Sequence, residues 1–126
     1  MWKYGIIGGV KHQPNEDVTR FADMLAAMGA EPRLRVVRLL LESHPEGMIA
    51  GDIAAELDIT ASTLSHHLDR LKREGVVKVR RDGTFLWYTA NTGALEDLLH
   101  FLFAECCTRS RAISPARLTF VKRQRT

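Results

Sequence analysis

The chain has 126 residues, of which 45% are hydrophobic and 26% are charged. This composition is typical of one globular domain and contains no apolar run long enough to cross a bilayer, so we expect a cytoplasmic protein with no membrane partner. The 18 basic residues exceed the 15 acidic ones, and the resulting net charge of +3 permits a nucleic-acid partner without requiring one.

The first predicted helix follows a short N-terminal arm. Residues 1–14 are too weakly apolar for a secretory signal, and we expect a flexible arm. Asn15 is a suitable N-cap, and acidic residues follow it in the first turn. Apolar residues then recur at spacings of three and four as far as Gly29, which predicts one apolar stripe. The members of this stripe are Val18, Phe21, Met24, Leu25 and Met28.

Three further helices are predicted before residue 76. Glu31 and Pro32 open the second, because proline fits the first turn of a helix. A short third helix over 50–57 is followed by a turn, and Thr60 is the expected N-cap of a fourth helix that Gly75 ends. The predicted buried residues are Leu34, Val37, Leu40 and Leu41 in the second helix, Ile53, Ala54 and Leu57 in the third, and Leu64, Leu68 and Leu71 in the fourth.

Two β-strands and a last helix complete the predicted elements. Val76–Arg81 and Thr84–Thr89 are rich in β-branched and aromatic residues, and Asp82-Gly83 between them predicts a tight hairpin turn. A helix from Asn91 carries an apolar stripe. The stripe consists of Leu95, Leu98, Leu99, Leu102 and Cys106, with Phe101 and Phe103 beside it. Residues 109–126 contain six basic residues and no acid, and form a predicted basic tail.

The order helix, turn, helix and hairpin is the outline of a winged helix-turn-helix domain, mainly α with a small β-hairpin, whose second helix enters the major groove of DNA. The predicted DNA-binding residues are Ser62, Thr63, Ser65, His66, Arg70 and Arg73 on the fourth helix and Lys78, Arg80 and Arg81 on the wing. Neither a glycine-rich phosphate loop nor a nucleophile–base pairing is evident, so we do not expect an enzyme. A winged-helix protein-interaction module remains an alternative.

Two segments of the chain resemble one known family. LAAMGAEPRLRVVRLL (Leu25–Leu40) resembles the N-terminal signature of ArsR/SmtB repressors, and SHHLDRLKREGVVKVRRDGTFLWYTA (Ser65–Ala90) resembles their recognition helix and wing. The resemblance covers roughly Asp23–Cys107 and implies a DNA-binding and dimerisation domain over 15–108. It also implies a homodimer in which the first and last helices pack across the two-fold axis. The matching surface residues are Val18, Phe21, Leu25, Leu95, Leu98, Leu99 and Leu102.

The adjacent Cys106 and Cys107 resemble a site at the end of the last helix in an arsenic-responsive branch of this family. The third cysteine of that site is missing here, and its place falls near Ile113 and Ser114. Thiolates select soft ions, and two close sulfurs suit the bent S–As–S angle of trivalent arsenic. The expected inducer is therefore a trivalent arsenical, and DNA binding itself is expected to need no cofactor. A thiol-redox switch and a plain packing role for the cysteines remain alternatives.

The two adjacent histidines in the fourth helix are not expected to form a metal site. His66 and His67 are neighbours in sequence, so they point about 100° apart on a helix and do not make an i, i+4 ligand pair. We expect His66 to face the DNA groove and His67 to border the leucine side.

Overall fold

The structure is a computed structural model that describes residues 14–105, with the side chains of 16–104. The elements are α1 (Pro14–Met28), α2 (Glu31–Glu42), β1 (Met48–Ile49), α3 (Ala50–Leu57), α4 (Ala61–Arg73), β2 (Val77–Asp82), β3 (Phe85–Ala90) and α5 (Thr92–Glu105). The chain divides into two compact units, Met1–Thr92 and Gly93–Thr126. Across residues 14–105, no helix is both long and apolar enough to span a membrane. The predicted basic tail and all of the predicted arm except Pro14 lie outside the described residues.

The helices follow the predicted order, and the mainly α fold class is confirmed. α1 begins at Pro14, one residue before the expected cap at Asn15. α3 covers the predicted range, and Gly75 follows α4 with a φ of +78°, a conformation that glycine adopts at little cost.

The apolar residues of α1 divide between two faces. Phe21, Met24 and Ala27 are buried, whereas Val18 and Leu25 remain 52% and 43% exposed. Val18 and Leu25 are seven residues apart, so they lie above one another on a flank of the helix. The predicted stripe is therefore only partly buried: Phe21 and Met24 contribute to the core, and Val18 and Leu25 stay exposed at its edge.

The buried face of α2 also differs from the prediction at two positions, because Leu34 is exposed and Leu41 is only half-buried. Val36, Val37 and Leu40 are buried, whereas Leu34 is 46% exposed. The run LRVVRLLL has apolar residues on more than one side of the helix. Spacing alone therefore does not determine which side faces the core, and the packing partners decide it.

The core of the first unit is built around α4, which contacts α1, α2, α3 and β2. Its three predicted core residues, Leu64, Leu68 and Leu71, are 1%, 3% and 0% exposed. Burying a leucine side chain stabilises a fold by about 1.5–3 kcal/mol, so this face holds α4 firmly in one rotation about its axis. The leucine side predicted from the sequence is confirmed.

The wing is part of a three-stranded antiparallel sheet with the order β1-β3-β2. The sequence predicted β2 and β3 but missed β1, which pairs Met48 with Tyr88 and Ile49 with Trp87. A strand of two residues is too short to show the alternation by which strands are recognised.

The hairpin turn lies one residue later than predicted. Asp82 pairs with Phe85, so the two turn residues are Gly83 and Thr84 rather than Asp82 and Gly83. Gly83 has a φ of +67°, and glycine at the first turn position is typical of two-residue hairpin turns.

Gly47 allows the chain to enter β1 in close contact with β3. Its φ is +83°, and a Cβ at this position would overlap the carbonyl oxygen of Tyr88 and the side chain of Thr89. The neighbouring Tyr88 is the β3 partner of Met48. A side chain at position 47 would therefore strain the backbone and push β1 away from β3.

We predict that Gly47→Ala lowers the free energy of unfolding by about 2–5 kcal/mol, the sum of a left-handed non-glycine residue and an overpacked contact. Urea denaturation measures this change. Gly51→Ala is the matched control, because a Cβ on Gly51 in α3 meets nothing within 4 Å. Alanine should stabilise that helix by about 0.5–1 kcal/mol. Equal effects of the two substitutions would contradict the close approach at Gly47.

His67 connects α4 electrostatically with α2. Burial of its ring, the Arg33 guanidinium and His66 lower the pKa of His67 below its ordinary value of 6.5. Arg33 lies in α2, and its Nε donates a hydrogen bond to the carbonyl oxygen of Ala27 in α1. The folded protein therefore disfavours the protonated form of His67.

We predict that folding stability decreases as the pH falls below about 6.5, because the unfolded chain then binds a proton on His67 more readily than the folded protein does. Above that pH His67 is neutral in both states, and its contribution is constant. His67→Gln should reduce the loss of thermal stability between pH 7 and pH 5. His44→Gln, in an exposed turn, is the control and should leave the wild-type pH dependence intact. If both variants behave like the wild type, His67 does not contribute to that dependence.

Candidate nucleic-acid interface

A short turn sets the direction in which α4 leaves α3. Asp58 follows α3 in the left-handed conformation, with φ +56° and ψ +51°, and its backbone N–H points to the carbonyl oxygens of Ala54 and Ala55. Thr60 then caps α4: its Oγ1 accepts a hydrogen bond from the backbone N–H of Thr63 at 3.2 Å. The Thr60 hydroxyl also donates to Oγ1 of Thr63 at 2.9 Å. The cap predicted at Thr60 is confirmed, and it fixes the first turn of α4.

The surface of α4 opposite the buried leucines is polar and basic. Ser62, His66 and Arg73 are separated by four and seven residues, so they follow one line along the helix. Thr63 and Ser65 flank this line, and Thr63 already accepts a hydrogen bond within the cap. Of the predicted DNA-binding residues of α4, five are exposed and Arg70 is half-buried; the exposed ones are Ser62, Thr63, Ser65, His66 and Arg73.

Asp69 belongs to the same surface and was not among the predicted residues. It is exposed, three residues after His66 and four before Arg73. The spacing that identified the other members was therefore sufficient to find it. A carboxylate repels phosphates but accepts a hydrogen bond from the amino group of cytosine in the major groove. Asp69 thus adds a group suited to reading bases to a surface whose basic residues attract phosphates.

Positive charge collects at the C-terminal end of α4. Arg70, Lys72 and Arg73 lie in its last turn, where cations also interact favourably with the helix dipole. The small hydroxyl residues lie near the N-terminal end, where they permit close approach to base edges. The helix therefore presents small polar groups at one end and phosphate-binding charges at the other.

The three predicted DNA-binding cations of the wing do not all lie on the same face of the sheet. Lys78 and Arg80 lie on one face of the sheet, because successive side chains of a strand alternate, and Arg81 lies on the other face. All three residues are exposed. The Arg80 guanidinium donates a hydrogen bond to the carbonyl oxygen of Glu46, whereas the side chain of Arg81 has no hydrogen bond or ion pair within residues 16–104.

The residues predicted for a dimer interface differ in their accessibility. Phe21 and Leu98 are each 4% exposed, so they leave little surface for a partner. The other predicted interface residues are at least partly exposed: Val18, Leu25, Leu95, Leu99 and Leu102. The exposed members of α1 and of α5 are each candidates for contact with a second chain.

The predicted arsenic ligands Cys106 and Cys107 lie just beyond the described residues. Within residues 16–104, no group of three or more His, Cys, Asp or Glu side chains is arranged to hold a metal ion. The prediction of a thiol site therefore depends on the sequence alone.

Comparisons with known proteins agree with this geometry. A protein family described as a helix-turn-helix domain matches residues 28–80, from the end of α1 to the wing. The transcriptional activator HlyU of Vibrio cholerae is 32% identical over 85 residues, which cover 65% of this chain and 76% of HlyU. The transcriptional repressor SdpR of Bacillus subtilis is 40% identical over 73 residues, covering 58% of this chain and 79% of SdpR.

The solved structures similar to this chain have the same fold. The structure of a possible transcriptional regulator for arsenical resistance has a TM-score of 0.56 at 28% identity, and covers 67% of this chain and 84% of its own. Both relatives are named as transcriptional regulators. The chain belongs to the ArsR/SmtB family of winged helix-turn-helix transcriptional regulators.

Proposed function

We propose that this protein is a homodimeric transcriptional repressor that binds operator DNA through α4 and is released by a trivalent arsenical. The DNA-binding part of this proposal is supported by the division of α4 into a buried leucine side and an exposed polar side. A helix held in this way can enter the major groove without exposing apolar residues to the bases. Repression then requires only that the bound dimer occupies the promoter, and the similar SdpR is named a repressor.

A homodimer accounts for the exposed apolar residues that α1 and α5 each carry. Leu99 and Leu102 of α5 are 45% and 46% exposed, and Val18 of α1 is 52% exposed. Neighbouring exposed apolar side chains, such as Leu99 and Leu102 three residues apart on one helix, are typical of a surface that contacts a partner. To read successive major grooves on one side of B-DNA, the two-fold axis must place the two recognition helices about 34–36 Å apart.

The proposed inducer follows from the number of sulfur atoms. Each chain contains two cysteines, Cys106 and Cys107, at the end of the predicted last helix. One arsenic atom can bond to both thiolates but needs a third substituent, which a methylated or aryl arsenical carries covalently. The similarity to a possible regulator for arsenical resistance supports the same ligand class. Release requires the arsenical to bind more tightly to a dimer geometry that does not fit the operator.

We predict that His66→Ala weakens binding to a duplex selected from a random-sequence library by the purified protein. The expected loss is roughly 1–3 kcal/mol for one lost base contact, measured by fluorescence anisotropy. On a scrambled duplex of the same composition the loss should be much smaller, because that binding depends on phosphates.

His44→Ala is the matched control for this measurement, since His44 is also an exposed histidine but lies in the turn after α2. Thr63→Ala is less suitable as the first variant, because it also removes the acceptor of the Thr60 hydroxyl. An equal loss on the selected and scrambled duplexes would contradict base reading by His66. Failure of the wild type to select any sequence would contradict operator binding itself.

We predict that the reduced protein leaves its selected duplex at a lower concentration of a monomethylated trivalent arsenical than of arsenite. Cys106→Ser and Cys107→Ser should each abolish the response and leave DNA affinity unchanged. The reason is that one remaining thiolate forms a much weaker site than two.

Zinc and hydrogen peroxide serve as the comparison ligands in the same titration. Zinc requires about four ligands, more than the two thiolates supply, so it should have little effect. Release by peroxide at a lower dose than by either arsenical would favour the thiol-redox alternative. If a variant lacking both cysteines still leaves the duplex on addition of an arsenical, the cysteines are not the sensor.

A further inference from the structure

The side chain of Arg80 makes three contacts within the protein. Its Nη2 donates a hydrogen bond to the carbonyl oxygen of Glu46 at 3.0 Å, and its Nη1 lies 3.9 Å from Oδ2 of Asp82. Its Cζ lies 5.5 Å from the centroid of the Trp87 ring, within the range of a cation–π contact. One guanidinium group thus contacts residues before β1, in β2 and in β3.

These contacts cross the whole sheet on one face. Arg80 and Trp87 are directly opposite each other in β2 and β3, and Trp87 in turn is opposite Ile49 of β1. Glu46 lies just before β1. The Arg80 side chain therefore extends from edge strand β2, over the Trp87 ring of the central strand β3, to the segment that precedes edge strand β1.

The position of this contact matters because β1 is weakly held by itself. β1 contributes two paired residues, and α3 begins at Ala50 immediately after it. The hydrogen bond from Arg80 to Glu46 adds a connection between β2 and this short strand. It consequently helps to fix the wing relative to the helix-turn-helix that follows β1.

The contacts require an arginine. A planar guanidinium can lie over an aromatic ring and donate from its edge at the same time, whereas a lysine ammonium is a compact, strongly hydrated charge that does not reproduce both contacts. Arg81, on the opposite face of the same strand, has no such partner in residues 14–105 and remains available to a phosphate.

We propose that Arg80 is a positioning residue that holds the wing in its DNA-binding orientation, and that Arg81 supplies the phosphate contact of the wing. The proposal rests on the proposed function in its DNA-binding part only. The half-exposed Arg80 guanidinium already has an acidic neighbour in Asp82. Replacing Arg80 should therefore affect the orientation of the wing more than the number of counterions released.

The test compares two substitutions that keep the charge, Arg80→Lys and Arg81→Lys, on the library-selected duplex. Arg80→Lys should weaken binding on the order of tenfold, the effect of losing one charge-assisted hydrogen bond, while Arg81→Lys should change it about twofold or less. Two further variants remove the charge. Arg81→Gln should reduce the slope of log affinity against log salt by about one, whereas Arg80→Gln should leave it near the wild-type value.

A measurement without DNA separates this proposal from the proposed function. Amide hydrogen exchange of Ile49 and Trp87 in the free protein should accelerate in Arg80→Lys and remain unchanged in Arg81→Lys. Unchanged exchange, or Arg80→Lys binding as tightly as the wild type, would overturn the positioning role. If the wild type selects no DNA sequence while the exchange result holds, the proposed function fails and the role of Arg80 in the sheet stands.

Discussion

The burial of Leu64, Leu68 and Leu71 is the interaction on which the rest of the structure depends. These residues lie on one side of α4 and are almost completely buried, and α1, α2, α3 and β2 all contact this helix. Rotating α4 would expose three leucines at a cost of several kcal/mol, so the polar surface is held in one orientation. The candidate DNA-binding residues are therefore positioned by the core rather than by contacts among themselves.

The other half of the interface depends on the sheet. The wing contacts the helices directly, through β2 against α4 and β3 against α2 and α3. It also pairs with β1, a strand of two residues that lies close to β3 because Gly47 has no side chain. Arg80 adds a contact across the same sheet. Substitutions in these sheet contacts can therefore change the orientation of the wing without removing a residue that faces the DNA.

The sequence predicted the features that repeat regularly along the chain. The leucine side of α4, the cap at Thr60 and the paired strands all follow periodic patterns or capping preferences, and the structure agrees with them. Asp69 was missed although it lies on the same helical line as His66 and Arg73. That error came from the choice of basic and hydroxyl residues as candidates, not from the spacing.

The features that the sequence did not predict depend on tertiary contacts. β1 has two residues, too few to show the alternation by which a strand is recognised. α2 has apolar residues on more than one side, so its packing partners decide that Val36 rather than Leu34 is buried. The partner of Arg80 across the sheet, Trp87, depends on a register that differs from the predicted one because the hairpin turn lies one residue later. In α1, Phe21 is buried whereas Val18 is exposed, and periodicity alone does not distinguish core from partner surface.

The central claim is that two copies of α4 read adjacent major grooves as a symmetric pair. Hydroxyl-radical footprinting of the reduced protein on its selected duplex tests this claim most directly. A symmetric dimer should give two protected segments related by two-fold symmetry, centred about 10 base pairs apart on one side of the DNA, with saturation at two chains per duplex. A single protected segment with saturation at one chain per duplex would contradict it.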